Sequence, residues 1–378
     1  VDEAGTAALE QHGHRVLRAQ LDRYLLQQAV AVVDGRRGGT EADAVGEEAM
    51  RRAATVSRLD LAEHRFVGVD QVETPTVRVQ LPQRRGATDE QQVRRAELMP
   101  MRADPTLGHA DGHQIAKNTV AIFDVEAGAS CTGSIIAEDL VITAGHCLGS
   151  GKLLLAFDRN FDQILEVVMN GTEEQFQAIQ PKLRGPSRAA MHPNYIEFNK
   201  QIAALEERLQ AGEQVSEEEI SAVVESTDQG DMLLLKFDGG LPAGFEPAKL
   251  LAQDIQLAIG GDVTLAGYGY TNGVTHASDD KLRQVSVKIE NPTHGAFEVL
   301  MNQKSGKGAC HGDSGGPAFF AINGVNYLFG VTSRGYKDDA DDCSQFAVYS
   351  NMVAAHDWME SAKQELAQPA PPPVDEVQ

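Results

Sequence analysis

The stretch GACHGDSGGPAFF, residues 308–320, sets Ser314, Asp313, His311 and Cys310 among four glycines and a proline. A serine hydroxyl is a weak nucleophile near neutral pH. To attack a carbonyl it needs a base within hydrogen-bond reach, a group that orients the base, and backbone donors for the oxyanion that forms. Gly312 allows a turn in which the N–H groups of Gly312 and Ser314 share one target, with no side chain in the way. Gly315 and Gly316 keep the other side open, and Pro317 keeps the turn from continuing as a helix. Among eleven histidines, His146 has a distinctive setting, at the end of the apolar run DLVITAGHCL and directly before Cys147. Asp231 in DQGDMLLLKF precedes a strand and suits the orienting role, and Asp228, in a more polar turn, is a decoy.

These residues need a scaffold. The chain has 378 residues, 42% hydrophobic and 23% charged, enough for a large core. From residue 114 on, short β-rich runs (NTVAIFDV, CTGSIIA, DLVITAG, KLLLAF, MLLLKF, DVTLAGYGY, RQVSVKI, FEVLM, VNYLFGVTS, FAVYSN) alternate with Gly, Asn, Asp and Pro turns. That spacing predicts an all-β sandwich or barrel pair. Residues 196–226 break the pattern and read as two amphipathic helices hinged at AGEQVS, with Ser216 capping the second. Residues 1–102 read as a mainly helical extension without a catalytic constellation, MVAAHDWMESAKQELAQ as a closing helix, and 368–378 as a proline-rich disordered tail.

The net charge of −22 argues against a nucleic-acid surface and against binding an anionic membrane. No apolar run is long enough to cross a bilayer. Four cysteines, Cys131, Cys147, Cys310 and Cys343, contain no CxxC and allow three pairings, which points to disulfides in an oxidising compartment rather than to zinc.

Taken in order, ITAGHC around His146, DMLLLKF from Asp231 and CHGDSGGP around Ser314 resemble the three signature segments of the trypsin/chymotrypsin-like serine peptidases. NTVAIFDV, MHPNY at 191–195, GVTSRG at 330–335, AVYSNM and the Trp358 helix extend the similarity over about residues 114–365. The resemblance implies two antiparallel six-stranded β-barrels with the site between them, in a domain over 103–367 that carries the 196–226 insertion. It implies a Ser314 nucleophile, a His146 base, an orienting Asp231 and an oxyanion hole of Gly312 and Ser314 N–H groups. It pairs Cys131 with Cys147 and Cys310 with Cys343. It implies polypeptide substrates, a proteinaceous inhibitor as a further candidate partner, no cofactor or metal, and a secreted or periplasmic location. The competing class is a silent or esterase-like homologue that acts as a binding module.

Departures from the family pattern bear on specificity and activation. The substrate pocket would be lined by Gly308, Ala309, His311, Ser333, Arg334, Gly335 and Ala347. Six residues before Ser314, where trypsin-like enzymes carry an aspartate, stands Gly308, so an uncharged residue is expected at the cleavage position. Ala347 would narrow the pocket and Gly335 leave its entrance open. The rival is a basic preference served by Asp338, Asp339, Asp341 or Asp342. Arg334, where an aromatic residue is usual, would present a cation to the cleft and favour acidic residues. Asp313 should pair with a freed N-terminal ammonium, yet no IVGG start exists; either a cut at Arg102–Ala103, the nearest plausible one, supplies a shifted N-terminus, or another cation satisfies Asp313. Residues 1–102 read as a pro-region and the chain as a zymogen, the alternative being a separate binding or adhesion domain. The insertion borders the cleft and reads as decoration, with a lid or a docking arm as the alternatives, and DRNFD at 158–162 as an incomplete hint of calcium.

Overall fold

Apolar runs after residue 118 become two sheets in the computed structural model, which describes residues 110–336 and 342–368. The expected helices of 1–102, the Arg102–Ala103 bond, Asp338, Asp339, Asp341 and the tail from 369 lie outside the described residues. The first sheet holds β1 (Thr119–Asp124), β2 (Ala129–Ala137), β3 (Leu140–Thr143), β4 (Leu153–Ala156), β5 (Leu183–Arg184), β6 (Pro186–Met191) and β7 (Leu233–Phe237), in the order β5-β4-β1-β2-β3-β7-β6. Its two end strands, β5 and β6, follow one another in the chain across Gly185, so the sheet curls nearly shut.

The second sheet holds β8 (Lys249–Leu250), β9 (Asp262–Gly267), β10 (Arg283–Gly295), β11 (Glu298–Asn302), β12 (Pro317–Ile322), β13 (Val325–Tyr336) and β14 (Phe346–Asn351). An additional β12–β13 pairing closes it. Each sheet therefore has six longer strands and one of two residues, the expected double barrel with a small addition to each. β8, the added strand of the second sheet, runs parallel to β13.

Residue patterning explains the two layers of core. Val120 and Ile122 of β1 pack inside the first barrel with Leu233, Leu235 and Phe237 of β7. Their neighbours Ala121, Phe123 and Leu234 face the opposite way, into a cluster that also takes Tyr268, Phe319 and Val331 from the second barrel. Strands buried on both faces have no polar alternation, which is why TVAIFD and LLLKF read as continuous apolar runs. The shared cluster also receives Met359 and Leu366 of the closing helix, His356–Ala367.

Ahead of β1 lies helix α1 (Ala110–Asn118), held to β13 by a two-way amide contact between Gln114 and Asn326. Two helices that the β-run spacing does not suggest, α2 (Phe161–Asn170) and α3 (Glu173–Ile179), follow β4. Thr172 and Gln175 cap α3 reciprocally, a T-x-x-Q signal legible in the sequence. Within DRNFD, Asp158 pairs with Lys182 at 2.6 Å and Phe161 enters the core, so these residues serve the packing of α2. The insertion is α4 (Pro193–Gln210) and α5 (Glu217–Val224), with the Ser216 hydroxyl accepting from Glu219 N–H as expected.

Candidate active site

β3 and β7 are antiparallel neighbours with Thr143 opposite Leu233, so the chain leaving β3 passes beside the chain entering β7. That register brings His146, in a tight turn over Gly145–Leu148, to Asp231 across 85 residues of sequence. His146 Nδ1 lies 2.8 Å from Asp231 Oδ2, and the His146 backbone N–H donates to Asp231 Oδ1 at 3.1 Å. Ser333 donates its hydroxyl to Oδ2 at 2.7 Å, and Ser350 donates to the Asp231 carbonyl at 2.9 Å. Burial alone would push the Asp231 carboxyl up. The His146 imidazole and the hydrogen bonds from His146 and Ser333 outweigh it and hold the group below the usual carboxylate range. Asp228 is exposed and accepts from Ala296 N–H at 2.8 Å, well away from this pair in role.

Ser314 sits half-buried in the turn between Cys310 and Pro317. Gly315 of this turn is pressed against Thr143 and Ala144, the residues that lead into His146, where a Cβ would collide with the Thr143 hydroxyl. Gly312 has φ +90, a left-handed conformation that favours glycine. The turn spends its donors selectively. Asp313, Gly315 and Gly316 N–H groups bond to Cys310, Thr332 and Asp313 carbonyls, whereas Gly312 and Ser314 N–H groups donate to nothing among the described residues. Thr132, buried on β2 beside Cys131, holds the carbonyls of both residues. Its N–H donates to Ser314 O at 2.7 Å and its hydroxyl to Gly312 O at 3.0 Å. No hydrogen bond joins Ser314 to His146 among the described residues.

Two disulfides flank this arrangement, Cys131–Cys147 and Cys310–Cys343. The sulfurs nearest His146 and His311 are therefore oxidised and offer no thiolate to a metal. Behind Gly308 lies Gln303, a residue for which the sequence carries no signal. Its amide accepts from Ala309 N–H at 2.5 Å and donates to Ala309 O at 3.1 Å and Cys343 O at 3.0 Å. A side chain at 308 would collide with it. Ala309 and Ala347 are buried in the core of the second barrel, and Gly335, exposed, pairs with Ala347 across β13 and β14. His311 packs its ring against Tyr270 and His276.

Arg334 departs from the expectation of a cation facing the cleft. Its guanidinium pairs with buried Glu298 and donates to the Ser226 carbonyl at 3.0 Å, so its charge is already matched. Tyr195, in the first turn of α4 and just ahead of the 196–226 insertion, is buried against Gly145, next to His146, and the carbonyl of Ser226, the insertion's last residue, accepts from Arg334.

A profile of the trypsin family matches residues 109–359. The chain is 28% identical over 269 residues to lectizyme of Glossina austeni, across 68% of this chain and 87% of that protein. It is 32% identical over 154 residues to trypsin eta of Drosophila melanogaster, across 35% of this chain and 53% of that protein. It is 25% identical over 270 residues to trypsin-2 of Salmo salar, across 67% of this chain and 90% of that protein.

Proposed function

The chain belongs to the trypsin family, a family of serine peptidases, and we propose that it is a secreted serine endopeptidase acting through Ser314, His146 and Asp231. The observation that carries this reading is an imidazole held on a buried carboxylate at 2.8 Å, beside a serine turn with two unspent N–H groups. Ser314 Oγ attacks the scissile carbonyl carbon and passes its proton to His146 Nε2, while Nδ1–H stays on Asp231. The carbonyl oxygen, now negative, accepts from Gly312 and Ser314 N–H. Collapse breaks the C–N bond, and Nε2 returns the proton to the leaving amine. Water then repeats the sequence on the acyl-enzyme.

Several further features belong to the same proposal. The domain spans 103–367, with residues 1–102 as a pro-region removed at Arg102–Ala103 and 368–378 as its tail. Gly308, backed by the neutral Gln303, supports an uncharged residue at the cleavage position. Two disulfides support secretion or a periplasmic site. Among the described residues no helix is long and apolar enough to cross a membrane.

A fluorophosphonate probe tests the reading. It should label Ser314 of the wild-type chain and not of Ser314→Ala, and Ser314→Ala should lose ~10⁶-fold in peptide turnover. Asp231→Asn should lose ~10⁴-fold by leaving His146 in the wrong tautomer. Absence of labelling before and after processing would favour the binding-module alternative.

A further inference from the structure

Asp313 is buried one residue before Ser314, and its carboxylate accepts from Cys310 N–H and Gly269 N–H, each at 2.8 Å. Two glycines make room for it. A Cβ on Gly267 would collide with Asp313 Oδ1, and one on Gly269 would lie 2.5 Å from the carboxyl carbon. No ion pair reaches the carboxylate among the described residues. Burial pushes its pKa up to about 7, and the one side-chain charge pulling the other way is Arg283.

The strand register explains that influence. Arg283 is the cross-strand partner of Gly267 in the β9–β10 pair. Directly opposed residues project to the same face of a sheet, so the Arg283 side chain leaves on the face where Gly267 meets Asp313. It is only 9% exposed. Its Nη2 pairs with Asp279 Oδ2, whereas Nε and Nη1 are buried without a partner. Asp279 is 37% exposed, and Lys281 Nζ lies 3.9 Å from the same Oδ2, so that oxygen keeps a cation when Arg283 turns away. Its Oδ1 is buried without a partner either way. Asp313 is dry, and an ion pair there is far less screened.

We propose that Arg283 is a resident counter-cation for Asp313, turning from Asp279 to the buried carboxylate and ordering the Gly312–Ser314 turn without a newly freed N-terminus. The uncut chain then has basal activity, and processing raises that activity rather than creating it. The proposed pairing rests on strand register, burial and the unpartnered Arg283 nitrogens, while its effect on activity rests on the peptidase reading above.

The test uses the full chain carrying Arg102→Gln, shown intact by mass spectrometry, and measures the rate of fluorophosphonate labelling. The parent should label, Asp279→Asn should label several-fold faster, and Arg283→Gln at least tenfold slower, with Arg283→Lys retaining most of the rate. Equal rates for Arg283→Gln and the parent would overturn the proposal. A second measurement needs no catalysis. In the Ser314→Ala chain at pH 8, the losses in Tm from Arg283→Gln and Asp313→Asn should be non-additive, because either change removes the same pair. Additive losses would overturn it. If no form of the chain labels, the peptidase reading fails and the Tm cycle alone decides the pair.

Discussion

The Arg334 guanidinium closes on the Glu298 carboxylate through two hydrogen bonds, 2.9 Å from Nη1 to Oε1 and 3.1 Å from Nη2 to Oε2. Glu298 is 1% exposed. Burial raises its pKa, and Arg334 offsets that rise only in part. The same guanidinium reaches Ser333 Oγ at 3.4 Å, and Ser333 in turn holds Asp231. Removing one member of a buried pair leaves an uncompensated charge. Arg334→Ala should therefore destabilise the chain by about 3–5 kcal/mol in urea unfolding, and adding Glu298→Gln should recover part of the loss. With its charge matched, Arg334 should give acidic peptides no advantage over neutral ones in kcat/KM.

Thr132 aims the proposed oxyanion donors indirectly, by fixing the carbonyls of Gly312 and Ser314. Thr132→Ala should lower kcat by roughly 10- to 100-fold through misplacement of the turn, with KM little changed. Thr132→Ser, which keeps the hydroxyl, should restore kcat. Loss of kcat in both variants would assign Thr132 a packing role instead.

Charge in the proposed pocket is guarded by Gln303. Gly308→Asp should lower kcat/KM on arginyl and leucyl peptides alike, because the new Cβ collides with the Gln303 amide. Only with Gln303→Ala should the aspartate settle and cleavage after arginine appear. A peptide panel read on both variants checks this.

Asp313 makes stability depend on pH with a defined sign. Its folded pKa of about 7 lies above the ordinary value near ~3.9. The stability it contributes is fully present below about pH 4 and is lost as pH rises through about 7. In the Ser314→Ala chain, Asp313→Asn should remove that part of the fall in Tm between pH 4 and pH 7, measured by calorimetry. Arg283→Gln should carry the fall to higher pH.

Much of this molecule was legible before any fold was known. Ser314, His146 and Asp231 stand at the ends of apolar runs or in a glycine turn, and each setting is a pattern within ten or so neighbouring residues. The hydrophobic periods likewise marked ten of the strands and the α4–α5 pair, since burial on one or both faces leaves a local trace. Helices α2 and α3 escaped because, at ten and seven residues, each is too short for its apolar spacing to be told from a strand run, although the Thr172–Gln175 cap was there to read. β12 escaped because Pro317 reads as a stop, while PAFFAI continues directly into the closing strand of the second barrel.

Partners across long separations were a different matter. The sequence alone determined which residue types were available, and it bounded the chemistry to a histidine, an aspartate and a serine in that order along the chain. The tertiary structure decided that Arg334 is matched by Glu298, 36 residues away, that Thr132 grips Gly312 across 180, and that Arg283 stands opposite the glycine that touches Asp313. The reason is physical. A hydrophobic period is written along the chain, whereas the meeting of one buried charge with another depends on strand register between distant segments, and register belongs to the closed barrel as a whole.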